Sequence, residues 1–182
     1  MIVGSPENAV ELLSAGHVIG YPTEAVFGLG CDPWNKKAVT KIANIKKRHI
    51  GKPFLLVASN INQLTNLIDT DIVTEKAKLS WPGHTTWLIP SKKNVPVWLL
   101  DEETKLIGIR VSDHPVIKRI CNGFNGPIIS TSANLSGEVN IKDQHIFISK
   151  FENKVDYLVE GNIGNHDNPS VILNMETNEN IR

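Results

Sequence analysis

Residues 53–59 read PFLLVAS, a near-continuous apolar run opened by Pro53. In a strand, successive side chains point to opposite faces, so a run apolar throughout must be covered on both. That requirement asks for helices above and below a sheet. The flanking sequence supplies them in alternation. SPENAVELLSAG offers Ser5 as N-cap, Pro6 at the first helical position and Gly16 as a stop. HVIGYP then reads as a strand ended by Pro22, and NKKAVTKIANIKKR places Ala38, Ile42 and Ile45 on one helical face. Two short helices are expected within 60–79, then strands at TTWLIP and LIGIRV, and a helix over HPVIKRICNG. PIIS, DYLVEG and SVILN complete the strands. The expectation is one α/β domain over residues 1–182, with a twisted, mixed sheet and helices on both sides.

Bulk properties exclude more than they suggest. Lys plus Arg and Asp plus Glu are equal at 19 each, so net charge points to no partner. Cys31 and Cys121 stand in no metal or redox spacing, as expected of a reduced cytosolic chain. MIVGSPENAVELL lacks the basic start of a signal peptide, and no apolar run is long enough to span a bilayer. The histidines show no i, i+4 pair, which argues against a protein-built metal site. No P-loop, dinucleotide fingerprint or G-x-S-x-G elbow occurs. The tryptophans 34, 81, 87 and 98 are too dispersed for a stacking platform and read as packing residues.

The distribution of charge is more informative. Between Pro33 and Ile68 there is no Asp or Glu, while Lys36, Lys37, Lys41, Lys46, Lys47, Arg48, Lys52 and His49 all fall there. Such a local excess attracts anions. Lys36, Lys37 and Lys41 read as a solvated helix face. Lys46 and Arg48 fall where the helix ends before the buried strand, a place where α/β proteins build sites. An Arg there can grip a phosphate bidentately, with a Lys as point charge. Arg110, at the end of LIGIRV, needs an anion as well: either Asp113 or another carboxylate of the chain, or a substrate. GPIISTSANLSG leaves a buried strand at Ile128 and Ile129 and then offers Ser130, Thr131, Ser132, Asn134 and Ser136 before Gly137. These side chains either cap the following turn or hold a polar ligand. YPTEAVFGLG reads as a loop after the first strand, with Thr23 and Glu24 at its turn.

YPTEAVFGLGCDP, KKR, WPGHTTWLIP, IRVSDHP, STSANLSG and NPSVI, in this order and spacing, resemble the YrdC/Sua5 family over nearly the whole chain. The paired signature K-x-R and S-x-N appears as Lys46-Lys47-Arg48 and Ser132-Ala133-Asn134. The resemblance implies a twisted sheet around a concave, positively lined cavity. It also implies formation of threonylcarbamoyl-adenylate and pyrophosphate from L-threonine, bicarbonate or CO2, and ATP carrying Mg²⁺. The product would serve t6A37 modification of tRNA through a separate transferase machinery. Carried over by residue, Lys46 and Arg48 are catalytic and, with Lys52 and Asn134, ATP-binding. Thr23, Arg110, Ser132 and Ser170 are threonine-binding. His49, His84 and Leu106 depart from the common pattern, which has Pro, Pro and a small hydroxyl residue there. Longer members close the site with an interdomain linker; here closure is expected from a flexible segment such as residues 136–144. A rival reading makes the basic interval an RNA-backbone surface, for tRNA or double-stranded RNA, carried by Lys36, Lys37 and Lys41.

Overall fold

The computed structural model describes residues 1–48, 53–135 and 138–181. Nine strands form one mixed sheet: β1 (Ile2–Gly4), β2 (Ile19–Pro22), β3 (Phe27–Gly30), β4 (Leu55–Ala58), β5 (Thr85–Pro90), β6 (Leu106–Val111), β7 (Ile128–Ser132), β8 (Tyr157–Val159) and β9 (Val171–Asn174). Their order across the sheet is β1-β8-β2-β3-β7-β4-β6-β5-β9. β1 and β2 flank β8 in parallel, β4 runs parallel to β6 and β5 to β9. The pairs β2/β3, β3/β7, β4/β7 and β5/β6 are antiparallel.

The helices are α1 (Pro6–Ser14), α2 (Lys36–Lys46), α3 (Glu75–Leu79), α4 (Pro115–Phe124) and α5 (Gln144–Phe151). Local chemistry sets their ends. Pro6 and Pro115 start α1 and α4 where an N–H would have no intrahelical partner. The Asn35 side chain accepts from Ala38 N–H at 3.1 Å to cap α2. Lys47 and Asn125 adopt left-handed conformations that end α2 and α4.

The apolar run at β4 is covered on both sides, as its composition demands. Val57 packs with Ala9, Leu13, Ile117 and Ile120 of α1 and α4. Leu56 and Ala58 point the other way, into the larger cluster holding Ala38 and Ile42 of α2 and Phe147 and Phe151 of α5.

Four details differ from the sequence expectation. The interval 60–79 holds two 3₁₀ turns (Ile61–Leu64, Thr70–Ile72) and α3. YPTEAVFGLG is a hairpin of β2 and β3 rather than a loop, with Tyr21 opposite Gly28 and Pro22 opposite Phe27. Its glycines serve close packing: a Cβ on Gly30 would lie 2.8 Å from Ile129 O in neighbouring β7. β1 is only three residues long, too short for a period to show. Of the segment expected to be flexible, Ser136 and Gly137 lie outside the described residues. The remainder is anchored: Ile141 O accepts from Phe27 N–H at 2.8 Å, and the Asp143 side chain accepts from Ile146 N–H to cap α5.

Candidate active site

A cavity of about 380 Å³ opens where the β2–β3 turn, the end of α2, β5, β6, the end of β7 and the start of β9 converge. Thr23, Lys46, Arg48, Arg110, Ser132, Asn134 and Ser170 all line it. Lys52 and His49 lie outside the described residues. The described lining carries three cations and no carboxylate, so it favours anionic ligands.

The two halves of the K-x-R and S-x-N signature meet in one construction. Lys46, the last residue of α2, is buried, and its ammonium donates to Ser132 O at 2.6 Å, Asn134 O at 2.8 Å and Asn134 Oδ1 at 3.1 Å. Ser132 Oγ donates to the same Asn134 Oδ1 at 2.7 Å, and Asn134 Nδ2 donates to Glu138 O at 2.7 Å. The three donors of the ammonium therefore fold the chain after β7 around the lysine. Burial, and then the nearby Arg48 charge, lower the Lys46 pKa from 10.5 to about 8. An incoming phosphate would relieve that penalty. Arg48 leans over the Phe54 ring at 5.0 Å and donates from Nη2 to Pro53 O at 2.9 Å.

Arg110, in β6, finds its internal anion in Glu24 rather than Asp113: Nη1 lies 2.5 Å from Glu24 Oε2. Ser112 Oγ donates to Glu24 Oε1 at 2.6 Å. Burial alone would raise the Glu24 carboxyl, but the Arg110 charge and the hydrogen bonds from Ser112 and Arg110 outweigh it and hold the group below its usual value. A guanidinium has five donors, so Arg110 can keep this pair and still meet a second carboxylate in the cavity. Thr23 Oγ1 donates to Val26 O at 2.7 Å across the turn, and Thr86 and Ser170 hydroxyls meet at 2.8 Å.

Sequence reasoning did not single out Thr86 or Ser112, and it named Ser130, Thr131, His84 and Glu24 without fixing a role for them. Ser130, Thr131, Thr86 and His84 join the lining, and Ser112 and Glu24 support Arg110 from behind it. Thr86 follows Thr85 at the start of β5 and Ser112 comes directly after β6, positions where a hydroxyl is equally at home in a turn or a cap. The basic helix face is largely occupied: Lys36 lies over Trp98 at 5.5 Å, and Lys41 pairs with Asp156 at 2.6 Å. Leu106 is buried at the start of β6 and does not line the cavity.

Sheet and cavity together define a mixed α/β protein with a pocket whose described lining combines three cationic side chains with several hydroxyls. The chain belongs to the Sua5/YciO/YrdC family, whose model, described as "Telomere recombination", matches residues 11–182. It is 46% identical over 169 residues to the threonylcarbamoyl-AMP synthase of Wigglesworthia glossinidia brevipalpis, covering 91% of this chain and 86% of that one. With the threonylcarbamoyl-AMP synthase of Coxiella burnetii (strain RSA 493 / Nine Mile phase I) it shares 43% identity over 182 residues, 98% and 96% of the two chains. E. coli YciO superposes with a TM-score of 0.83 at 26% identity, over 99% of this chain and 94% of that one. The fold also matches P. abyssi Sua5, in a structure with L-threonine, at a TM-score of 0.87 and 23% identity. That match covers 97% of this chain and 54% of the P. abyssi chain, so this chain spans about half its length.

Proposed function

We propose that this chain is a threonylcarbamoyl-AMP synthase, joining L-threonine, bicarbonate/CO2 and ATP into threonylcarbamoyl-adenylate with release of pyrophosphate. The observation that carries the reading is that a single cavity is lined by Lys46 and Arg48 together with Thr23, Arg110 and Ser170. The names of the relatives described above support the same activity.

In this reading the threonine carboxylate docks on Arg110, with the hydroxyls of Thr23, Ser132 and Ser170 available to its ammonium and hydroxyl. The amine, once neutral, attacks CO2 (supplied as such or by dehydration of bicarbonate, which releases water) and gives up one N–H proton to solvent. An oxygen of the resulting carbamate then attacks the α-phosphorus of ATP and breaks its bond to the bridging oxygen of the departing pyrophosphate. Charge accumulates on the phosphates as pyrophosphate departs. Lys46 and Arg48 stabilise it from fixed positions, and Asn134, already bonded to Lys46, reaches the nucleotide. ATP enters as its Mg²⁺ complex, with the ion neutralising phosphate charge. The cation-lined, carboxylate-free wall suits phosphate oxygens, and the protein contributes no ligand of its own in this account. Lys52 is assigned to the phosphates by resemblance alone. Catalysis here rests on positioning and electrostatics rather than on a strong base.

The product would pass to a separate t6A37 transferase machinery in the cytoplasm. Among the described residues no helix is long and apolar enough to cross a membrane. Any contact with tRNA or double-stranded RNA would fall on exposed lysines such as Lys37, outside the cavity.

The test is pyrophosphate release from MgATP and bicarbonate, with and without L-threonine. Threonine-dependent release in wild type that falls about 10²–10³-fold in Arg48→Ala supports the assignment. Release indifferent to threonine, from folded protein, refutes it.

A further inference from the structure

The connection from β8 to β9, residues 160–170, contains no helix or strand, yet its last two residues, Pro169 and Ser170, form part of the cavity wall. Backbone donors fix its near side to the β2–β3 turn: Gly164 N–H to Thr23 O at 2.9 Å and His166 N–H to Glu24 O at 3.0 Å. On its far side stands His84, immediately before β5. The His84 ring stacks on that of His166, with centroids 4.1 Å apart and planes within 7°. His84 Nε2 lies 2.7 Å from Asn168 O. A carbonyl only accepts, so Nε2 carries the proton and donates.

Two rungs therefore join the segments 84–86 and 168–170: His84 to Asn168 O, and Thr86 to Ser170 Oγ at 2.8 Å. The regular β5–β9 pairing begins only at Thr85 opposite Val171, so 168–170 lies beyond the ladder and is placed by side chains. We propose that His84 is a positioning residue for the amino-acid end of the pocket, holding Asn168 so that Ser170 stands at a fixed distance from Thr23 and Arg110 and selects the substrate that fits between them. The inference rests on the function proposed above.

The imidazole suits the task because it is rigid, flat and neutral. Its stacked face orders His166, and thereby the tie to Glu24. Nδ1 is buried with no hydrogen-bond partner among the described residues, so a second ring proton would have no acceptor there. Burial is the largest influence and opposes protonation of the ring, as does the Arg110 charge, while the hydrogen bond to Asn168 O and the Glu24 carboxylate favour it; the net effect is a lowered pKa.

The experiment uses the full chain as His84→Ala and His84→Gln. Pyrophosphate release is measured against L-threonine at saturating MgATP, against ATP at saturating threonine, and with L-serine in place of threonine. Thermal unfolding is followed for each variant. Loss of one orienting hydrogen bond predicts a threonine KM raised about 5–30-fold in His84→Ala, with a narrowed preference for threonine over serine. The ATP KM, kcat and Tm stay near wild type. His84→Gln, whose amide can donate to Asn168 O, recovers most of the threonine KM. An unchanged threonine KM in His84→Ala would overturn the proposal, as would equal rises in both KM values with a fall in Tm. A selective rise that Gln does not relieve would also overturn it, by moving the effect from the Asn168 bond to the His166 stack. Wild type that turns over ATP without threonine would sink the proposed function, and this inference with it.

Discussion

Glu24→Gln removes one charge from a pair whose side chains are 8% and 9% exposed and leaves the Arg110 guanidinium buried without a counter-charge. Breaking a buried pair from one side costs about 3–5 kcal/mol, because the remaining ion stays desolvated. Gln can still accept from Ser112 and Arg110, which places the expected loss near the lower limit, about 3 kcal/mol. For a domain of this size that is a fall in Tm of about 6–12 °C. Glu24→Gln/Arg110→Met buries no charge at all, so it should recover most of the lost stability. It should not recover threonine-dependent turnover, since the site has lost the carboxylate's partner. Thermal and urea unfolding of wild type, both singles and the double measure the coupling directly. A Tm for Glu24→Gln within 2 °C of wild type, or a double variant as unstable as the sum of the singles, would refute the account of this pair (the 2 °C margin corresponds to roughly 1 kcal/mol).

Lys46 should impose an alkaline limit on nucleotide binding. Its pKa in the free protein is about 8, phosphate binding favours the charged form, and binding above that pH must therefore take up a proton. The ATP dissociation constant should be flat below about pH 8 and rise towards tenfold per pH unit above it; affinity constant to about pH 9.5 would contradict the assignment. Gly30→Ala should lower Tm, because a Cβ there would meet both Ile129 O and the Tyr21 ring at 2.8 Å. Overpacking of this kind costs about 1–3 kcal/mol, and unfolding midpoints unchanged from wild type would show that β3 and β7 have room to part.

The fold was legible wherever burial imposed a period or a cap. PFLLVAS demanded cover on both faces, and Ser5 and Pro6 marked the start of α1 through local chemistry alone. What escaped was decided by distant partners. Gly28 and Gly30 suggest a loop until β7 is seen lying against them. The 3₁₀ turns replaced expected helices in a stretch too short and too interrupted by polar residues for sustained i→i−4 bonding. In the cavity, side chains flagged by charge at an element's end, such as Lys46 and Arg110, could be found from sequence. Glu24 could be noticed but not paired, since Arg110 is 86 positions away and only the sheet order joins them. Thr86 and Ser112 were not singled out, because a hydroxyl at a strand's end looks the same in sequence whether it faces a ligand, a neighbour or a turn.

The central claim is that one cavity brings an amino acid and a nucleotide together through a one-carbon unit. The most direct measurement is mass spectrometry of a short incubation with isotopically labelled bicarbonate, L-threonine and MgATP. The account predicts an adduct containing threonine, one labelled carbon and AMP, formed only when all three substrates are present. ATP consumption without that adduct, or an AMP adduct lacking the labelled carbon, would contradict it.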